Sequence, residues 1–233
     1  MNREISEKLV VKDQLRRFLR YVAVQNELLA TGKSLVLADS YEAGYERFNR
    51  VVVHAERLWD DSCTLFLQGR FPTALAIAIT CLEEVGKIGV ARFQLVLEAD
   101  AREGSASLPR ATGVSRRKHP FYSHPQKLLL AAGAGALVNA RLDRILGLEK
   151  VVEFLDRVER GEIEPLRQSC YYSDADSRQL LLPYERIRKE DAEFYVVLAG
   201  ELLAEVAGLE PPEWQRLLAR VKEFEQTIGH PDE

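Results

Sequence analysis

The run Ala74–Lys87, ALAIAITCLEEVGK, sets two adjacent carboxylates and an ammonium group behind nine residues that carry no charge. Glu83 and Lys87 stand at i and i+4, where a Glu-first pair on an exposed helix face contributes only about 0.2–0.5 kcal/mol. The neighbours Leu75, Ile77, Ala78, Ile79, Cys81, Leu82, Val85, Ile88 and Val90 leave no wide polar face for Glu83, Glu84 and Lys87. A buried charge persists only when it is paired and hydrogen-bonded. On the residues alone three readings stay open: a surface ion pair, a buried pair that fixes helix packing, and a charged group lining a functional cleft. The stripe Ala76, Thr80, Glu83, Lys87, Ala91 is small above and below its charges, so it can face a second helix or wall such a cleft. Gly86 and Gly89 each weaken a helix by about 1 kcal/mol relative to Ala, a cost that close packing of backbone or ligand explains.

Other chemistries find little support. There is no P-loop, dinucleotide fingerprint, GxSxG or HExxH. A di-metal helical bundle needs Glu-x-x-His, and none of His54, His119, His124 and His230 has a Glu three residues before it, so no metal and no cofactor are expected. Cys63, Cys81 and Cys170 are odd in number, widely spaced and without a CxxC pair, which excludes a disulfide framework or zinc knuckle and fits a reducing cytoplasm. Tyr171, Tyr172 and Asp174 could line a pocket or plug the side of a core. Trp59 and Trp214 read as core or interface residues, and His54 as packed or surface. The 233 residues are 46% hydrophobic and 29% charged, the profile of a globular protein with ample core material. A net charge of -4 gives no global positive field, so any anion site must be local. The N-terminus MNREISEKLVVKDQLRR has no apolar leader segment, and the longest apolar run, near Phe71–Leu82, falls short of the roughly 18 residues of a membrane span. A cytoplasmic location without membrane contact is therefore expected.

The elements that must position these residues are helical. Val11, Leu15, Phe18, Val22 and Leu29 form a 3.6-residue stripe, which predicts a helix over about 4–30 with Gly32 as its stop. Asp39 or Ser40 caps a second helix, whose stripe runs through Tyr45, Phe48, Val52, Ala55, Trp59, Cys63 and Phe66 to Gly69. Pro72 opens a third helix that reaches about Ala99 and pairs with the second as a hairpin. The polar stretch Asp100–Ser115 reads as a loop. A fourth helix starts at Pro125 and ends or kinks at Gly147, and its small residues Ala131–Ala136 allow close approach of a neighbour. Helices are expected over about 148–160, 188–207 and 212–227, with SCYYSDADSRQLLLPYERI as an ordered connector. The sum is an all-α antiparallel helical bundle: an N-terminal helical extension over 1–40 and a helical domain over 41–230.

The stretch HAERLWDDSCTLFLQGRFPTALAIAITCLEEVGKIGVARFQL resembles the signature region of the AbiV family of bacterial abortive-infection proteins. There a helix ending in G-x-[YF]-x-x-A leads into an apolar helix with EE-x-GK. The matching positions are Gly69, Phe71 and Ala74, then Glu83, Glu84, Gly86 and Lys87. SHPQKL at Ser123–Leu128 is similar to the family's His-x-x-Lys helix start, LRQSCYYSD at Leu166–Asp174 to its connector, and Pro183 with the helix from Arg188 also fits. The resemblance covers about residues 45–208. It implies a HEPN-like all-α fold and antiviral defence that arrests the infected host.

Many HEPN domains are dimeric, metal-independent ribonucleases with an Arg and a His separated by four to six residues. Arg117 and His124 have six between them, and a Glu-x-x-x-Lys element that recurs in the superfamily matches Glu83 and Lys87. By this resemblance His124, Arg117, Glu83 and Lys87 are the catalytic candidates. A neutral His can take the proton from a ribose 2′-hydroxyl, and a guanidinium can stabilise charge on the phosphoryl oxygens. Pro120 and Pro125 break the intervening segment, so the two need not share a helix face. His119 is the alternative imidazole. Arg116, Lys118, His119 and Lys127 make the surroundings locally basic and, with Glu84 and Tyr171, are the substrate-binding candidates. The expected partners are RNA or a nucleotide, a second copy of the chain, and a phage or host protein as trigger. The alternative is a non-catalytic nucleotide- or protein-binding module of a phage-defence system.

Overall fold

The computed structural model describes residues 2–30, 40–102, 123–133, 135–136, 142–176, 179–207 and 211–229. The chain forms the expected all-α bundle. Its helices are α1 (Asn2–Ala30), α2 (Tyr41–Leu67), α3 (Phe71–Arg102), α4 (His124–Gly133), α5 (Leu148–Arg160), α6 (Ile163–Ser169), α7 (Pro183–Arg186), α8 (Lys189–Val206) and α9 (Pro211–Ile228). A π-helical turn, Asp143–Gly147, precedes α5 and stops at Gly147, the expected end or kink, where φ is 89°; residues 137–141 of the expected fourth helix lie outside the described residues. The expected irregular connector holds a short antiparallel hairpin of β1 (Asp174–Asp176) and β2 (Gln179–Leu181), in which Ala175 pairs with Leu180. Three-residue strands are too short for a period-two pattern to show in the sequence. The third helix runs to Arg102, past its expected end at Ala99, and the remainder of the Asp100–Ser115 loop lies outside the described residues. No described helix is long and apolar enough to cross a membrane.

Local signals set the helix ends. Ser40 caps α2, its Oγ accepting the Ala43 amide at 3.2 Å. Gly69 leaves that helix with φ 74°, and Gly161 leaves α5 with φ 72°, the left-handed conformation that only glycine takes without a Cβ penalty. At the start of α8 the Asp191 carboxylate accepts the Arg188 amide at 3.1 Å.

The lack of a polar face along α3 follows from its place in the bundle. Helices α2, α8 and α4 pack around it, and Leu75, Ile79, Leu82, Val85 and Ile88 are fully buried. On the far side α9 closes over α2 and α8. Trp59, 3% exposed, packs edge-on against Phe224 and donates its indole N–H to the Val196 carbonyl at 3.1 Å. Gly200 on α8 makes room for that indole, since a Cβ there would stand 2.7 Å from Nε1. The buried Glu56 accepts from Arg216 at 2.8 Å and Arg220 at 3.3 Å, which ties α9 to α2. Trp214 is instead 38% exposed on the outer face of α9, so it is no part of the core.

The short helix α4 is held from two further sides. Gly133 lies against the Tyr21 ring of α1, so close that a Cβ would overlap the ring. Arg17 of α1, 3% exposed, ion-pairs with Asp156 and, at 3.6 Å, with Glu159 of α5. The N-terminal helix thus docks on its own chain. On the α3 side, a Cβ at Gly86 would overlap the backbone carbonyl oxygen of Lys127. At Gly89 the nearest atom is a Val206 methyl at 3.8 Å, an ordinary contact. Gly86→Ala is therefore expected to lower stability by about 1–3 kcal/mol through overpacking. Gly89→Ala should raise it by up to about 1 kcal/mol through helix propensity. Urea denaturation of both variants, read against the parent, measures the two signs.

Candidate functional site

Glu83 is 5% exposed and turned from α3 into the α3–α4 interface. Both of its oxygens are taken by α4. Oε1 lies 2.6 Å from His124 Nδ1, and Oε2 accepts from the Lys127 ammonium, itself 6% exposed. His124 and Lys127 reach one carboxylate because residues three apart share a helix face. They reach it at all because Gly86, three residues along α3, lets the Lys127 backbone come into direct contact. The small-residue stripe thus faces a second helix.

Glu164 approaches from α6, one oxygen 4.0 Å from His124 Nδ1. Arg167 holds it in a two-pronged contact at 2.9 Å, and the Gln168 amide donates to it at 2.6 Å. Burial pushes its carboxyl up, but the hydrogen bonds from Gln168 and Arg167 and the charges of Arg167 and His124 outweigh this and hold it below the usual range. His124 is therefore flanked by the carboxyl groups of Glu83 and Glu164, which pair with Lys127 and Arg167.

This arrangement fixes the tautomer of the imidazole. A carboxylate only accepts, so Nδ1 is the ring nitrogen that donates to Glu83, and Nε2 stands outside that contact. His124, the first residue of α4, has 41% of its side chain exposed. The network can take a proton at Nε2 and stabilise the imidazolium that results.

Lys87 and Glu84 do not join it. Lys87 pairs with Glu84 at 2.5 Å, not with Glu83 as an i,i+4 pair would. The reason is tertiary: the partners on α4 already occupy both Glu83 oxygens. Tyr171 follows α6 and is 50% exposed. Arg116, Arg117, Lys118 and His119 lie outside the described residues, so the pairing of Arg117 with His124 is not part of the described geometry. His54 is exposed on α2. Glu164, Arg167 and Gln168 carry no signal of their own in the sequence, because their spacing reads as an ordinary helical ion pair. The LRQ of the connector motif, one turn past Glu164, is the only pointer to them.

Among the described residues, Glu83, His124 and Glu164 place ligand atoms within 4.8 Å of one another, a spacing that could hold a metal ion. Lys127 and Arg167 already occupy those carboxylates, which favours a charge-compensated hydrogen-bond network over an open ligand set. Nucleophilic thiol chemistry is disfavoured, since burial pushes the Cys63, Cys81 and Cys170 thiols up, that of Cys170 to about 12.

No curated protein and no solved structure matches the chain. A family model does: the one described as AbiV, of the HEPN group, matches residues 46–204, from the first turns of α2 to near the end of α8. With well over half of its length inside that match, and the Glu83–His124 network built from residues within it, the chain belongs to the AbiV family of HEPN proteins.

Proposed function

We propose that the protein acts in antiphage defence by abortive infection, as a HEPN-type endoribonuclease that uses His124 as its general base and needs no metal ion. The single observation that carries the catalytic part is the Glu83–His124 contact at 2.6 Å, which engages Nδ1 of a part-exposed imidazole and leaves Nε2 outside that hydrogen bond. In the proposed reaction Nε2 removes the proton of a ribose 2′-hydroxyl. The 2′-oxygen bonds to the adjacent phosphorus, the bond to the 5′-oxygen breaks, and that oxygen leaves with a proton from solvent or the imidazolium. Glu83, and Glu164 at 4.0 Å, stabilise the imidazolium, and Lys127 positions Glu83. Arg117 is the proposed stabiliser of the phosphoryl oxygens, with Arg116, Lys118 and His119 as further phosphate contacts and Lys87 and Glu84 bordering the site. A cytoplasmic homodimer restrained or triggered by a phage or host protein completes this reading.

His124→Ala is expected to cut RNA cleavage by about 10²–10⁴-fold, far more than the roughly 1–3 kcal/mol of stability lost when Glu83 Oε1 loses its donor accounts for in a protein that still folds, and cleavage by the parent should persist in EDTA. Incubation of single-stranded RNA with each protein, resolved on denaturing gels, measures this. Equal cleavage by parent and variant would remove His124 from the mechanism.

One observation favours a second, non-catalytic reading, in which the charged network serves packing and the protein binds a nucleotide or protein. The Lys127–Glu83 pair is buried and ties α4 to α3. Lys127→Ala should then cost roughly 3–5 kcal/mol, because it leaves a buried charge alone. Lys87→Ala, which breaks a partly exposed pair on one helix, should cost about 1 kcal/mol or less. Denaturant melts of the two variants test the contrast. Phage protection that survives His124→Ala and is lost with Lys127→Ala would favour the packing role over catalysis.

A further inference from the structure

A cleft of about 630 Å³ opens on the other side of α6 from His124. That volume lies within the roughly 300–1,000 Å³ that small-molecule sites occupy. Arg157, Gln168, Ser169, Tyr172, Arg186 and Asp191 line it, over an apolar floor that includes Leu166 and Ile187. Two features indicate the chemistry it suits. Arg157 and Arg186 are balanced by Glu162 and Asp191, so the cleft is no phosphate pocket, but it offers donors and acceptors to a neutral polar ring. One aromatic residue lines it, Tyr172, which is 67% exposed. Exposed aromatic faces beside arginines are the surfaces on which bases of single strands stack.

The cleft is also connected to the proton-accepting network. Gln168 lines it, gives its amide nitrogen to Glu164 at 2.6 Å, and retains its carbonyl oxygen for a ligand. Glu164 in turn lies 4.0 Å from His124. Gln168 and Glu164 are four residues apart on α6, about 6 Å of helix rise, so the cleft and His124 lie on either side of one helical turn.

We propose that this cleft is a nucleobase subsite for single-stranded RNA, with Tyr172 as the stacking platform and Gln168 as a reader of the base edge. The proposal rests on the reading of His124 as the base that cuts the same strand. A free mononucleotide shares the chemistry, and the link through Gln168 and Glu164 to His124 favours a strand long enough to reach both.

The test uses the full chain and a fluorescent single-stranded oligoribonucleotide with 2′-O-methyl groups, which binds but offers no 2′-hydroxyl to react. By fluorescence anisotropy, Tyr172→Ala should weaken binding about tenfold or more, and Tyr172→Phe should bind as the parent does. Tyr172 is exposed, so the melting temperature should not change. Adenosine monophosphate should compete only far above the Kd of the oligomer. Binding by Tyr172→Ala equal to the parent's, no binding by the parent, or competition by the mononucleotide at the oligomer's own Kd would each overturn the proposal. The two readings separate in the same experiment. A parent that binds through Tyr172 yet leaves unmodified RNA intact loses the cleavage role and keeps the subsite. A parent whose cleavage KM is unmoved by Tyr172→Ala keeps His124 and loses the subsite.

Discussion

The buried carboxylate of Glu83 is the constraint on which the rest of the site depends. A charge at 5% exposure in an apolar interface is tolerated only if its oxygens are met by donors, and α4 supplies both. The position and rotation of α4 are therefore coupled to a single side chain of α3. Gly86 makes the coupling possible, because only a residue without a Cβ lets the Lys127 carbonyl lie against α3. His124 then occupies the end of a network whose buried half fixes where its exposed half can be.

A helix of ten residues has little stability of its own in water, so α4 depends on what surrounds it. Helix α5 packs against it, and three further elements grip it through named residues: α3 through Gly86 and Glu83, α1 through Tyr21 on Gly133, and α6 through Glu164 near its first residue. Burial falls along the network from Glu83 and Lys127 to the 41% exposed imidazole. Such a gradient lets one end act as a rigid anchor while the other meets solvent or a ligand. Glu164 connects this exposed end to α6 and, through Gln168, to the cleft beyond it.

Much of this fold was legible in local signals. Ser40, Gly69 and Gly161 mark helix ends by hydrogen-bonding capacity and backbone freedom, and they stand where the chain turns. The all-round apolar character of ALAIAITCL announced a helix enclosed by others, and a Glu within it announced a partner on another helix. The identity of that partner was not legible. Lys87, four residues away, was the local candidate, yet the ammonium that meets Glu83 is Lys127, 44 residues on. Nor could Glu164 be found, since Glu164, Arg167 and Gln168 look like any solvated helical turn until α6 is placed beside α4.

The sequence by itself determined the helical class, most helix boundaries, the need of Glu83 for partners, and the resemblance over about 45–208 that the AbiV family match over 46–204 bears out. These depend on periodicity, capping and motif order, which act within a few residues. Only the tertiary structure decided which of Glu83 and Glu84 is buried, that Lys127 rather than Lys87 pairs with it, that the imidazole meets Glu83 through Nδ1, and that a cleft with Tyr172 in its lining lies behind α6. Those outcomes turn on contacts between residues tens of positions apart. Such contacts are selected by the close approach of helix backbones, which no local pattern of residue types records.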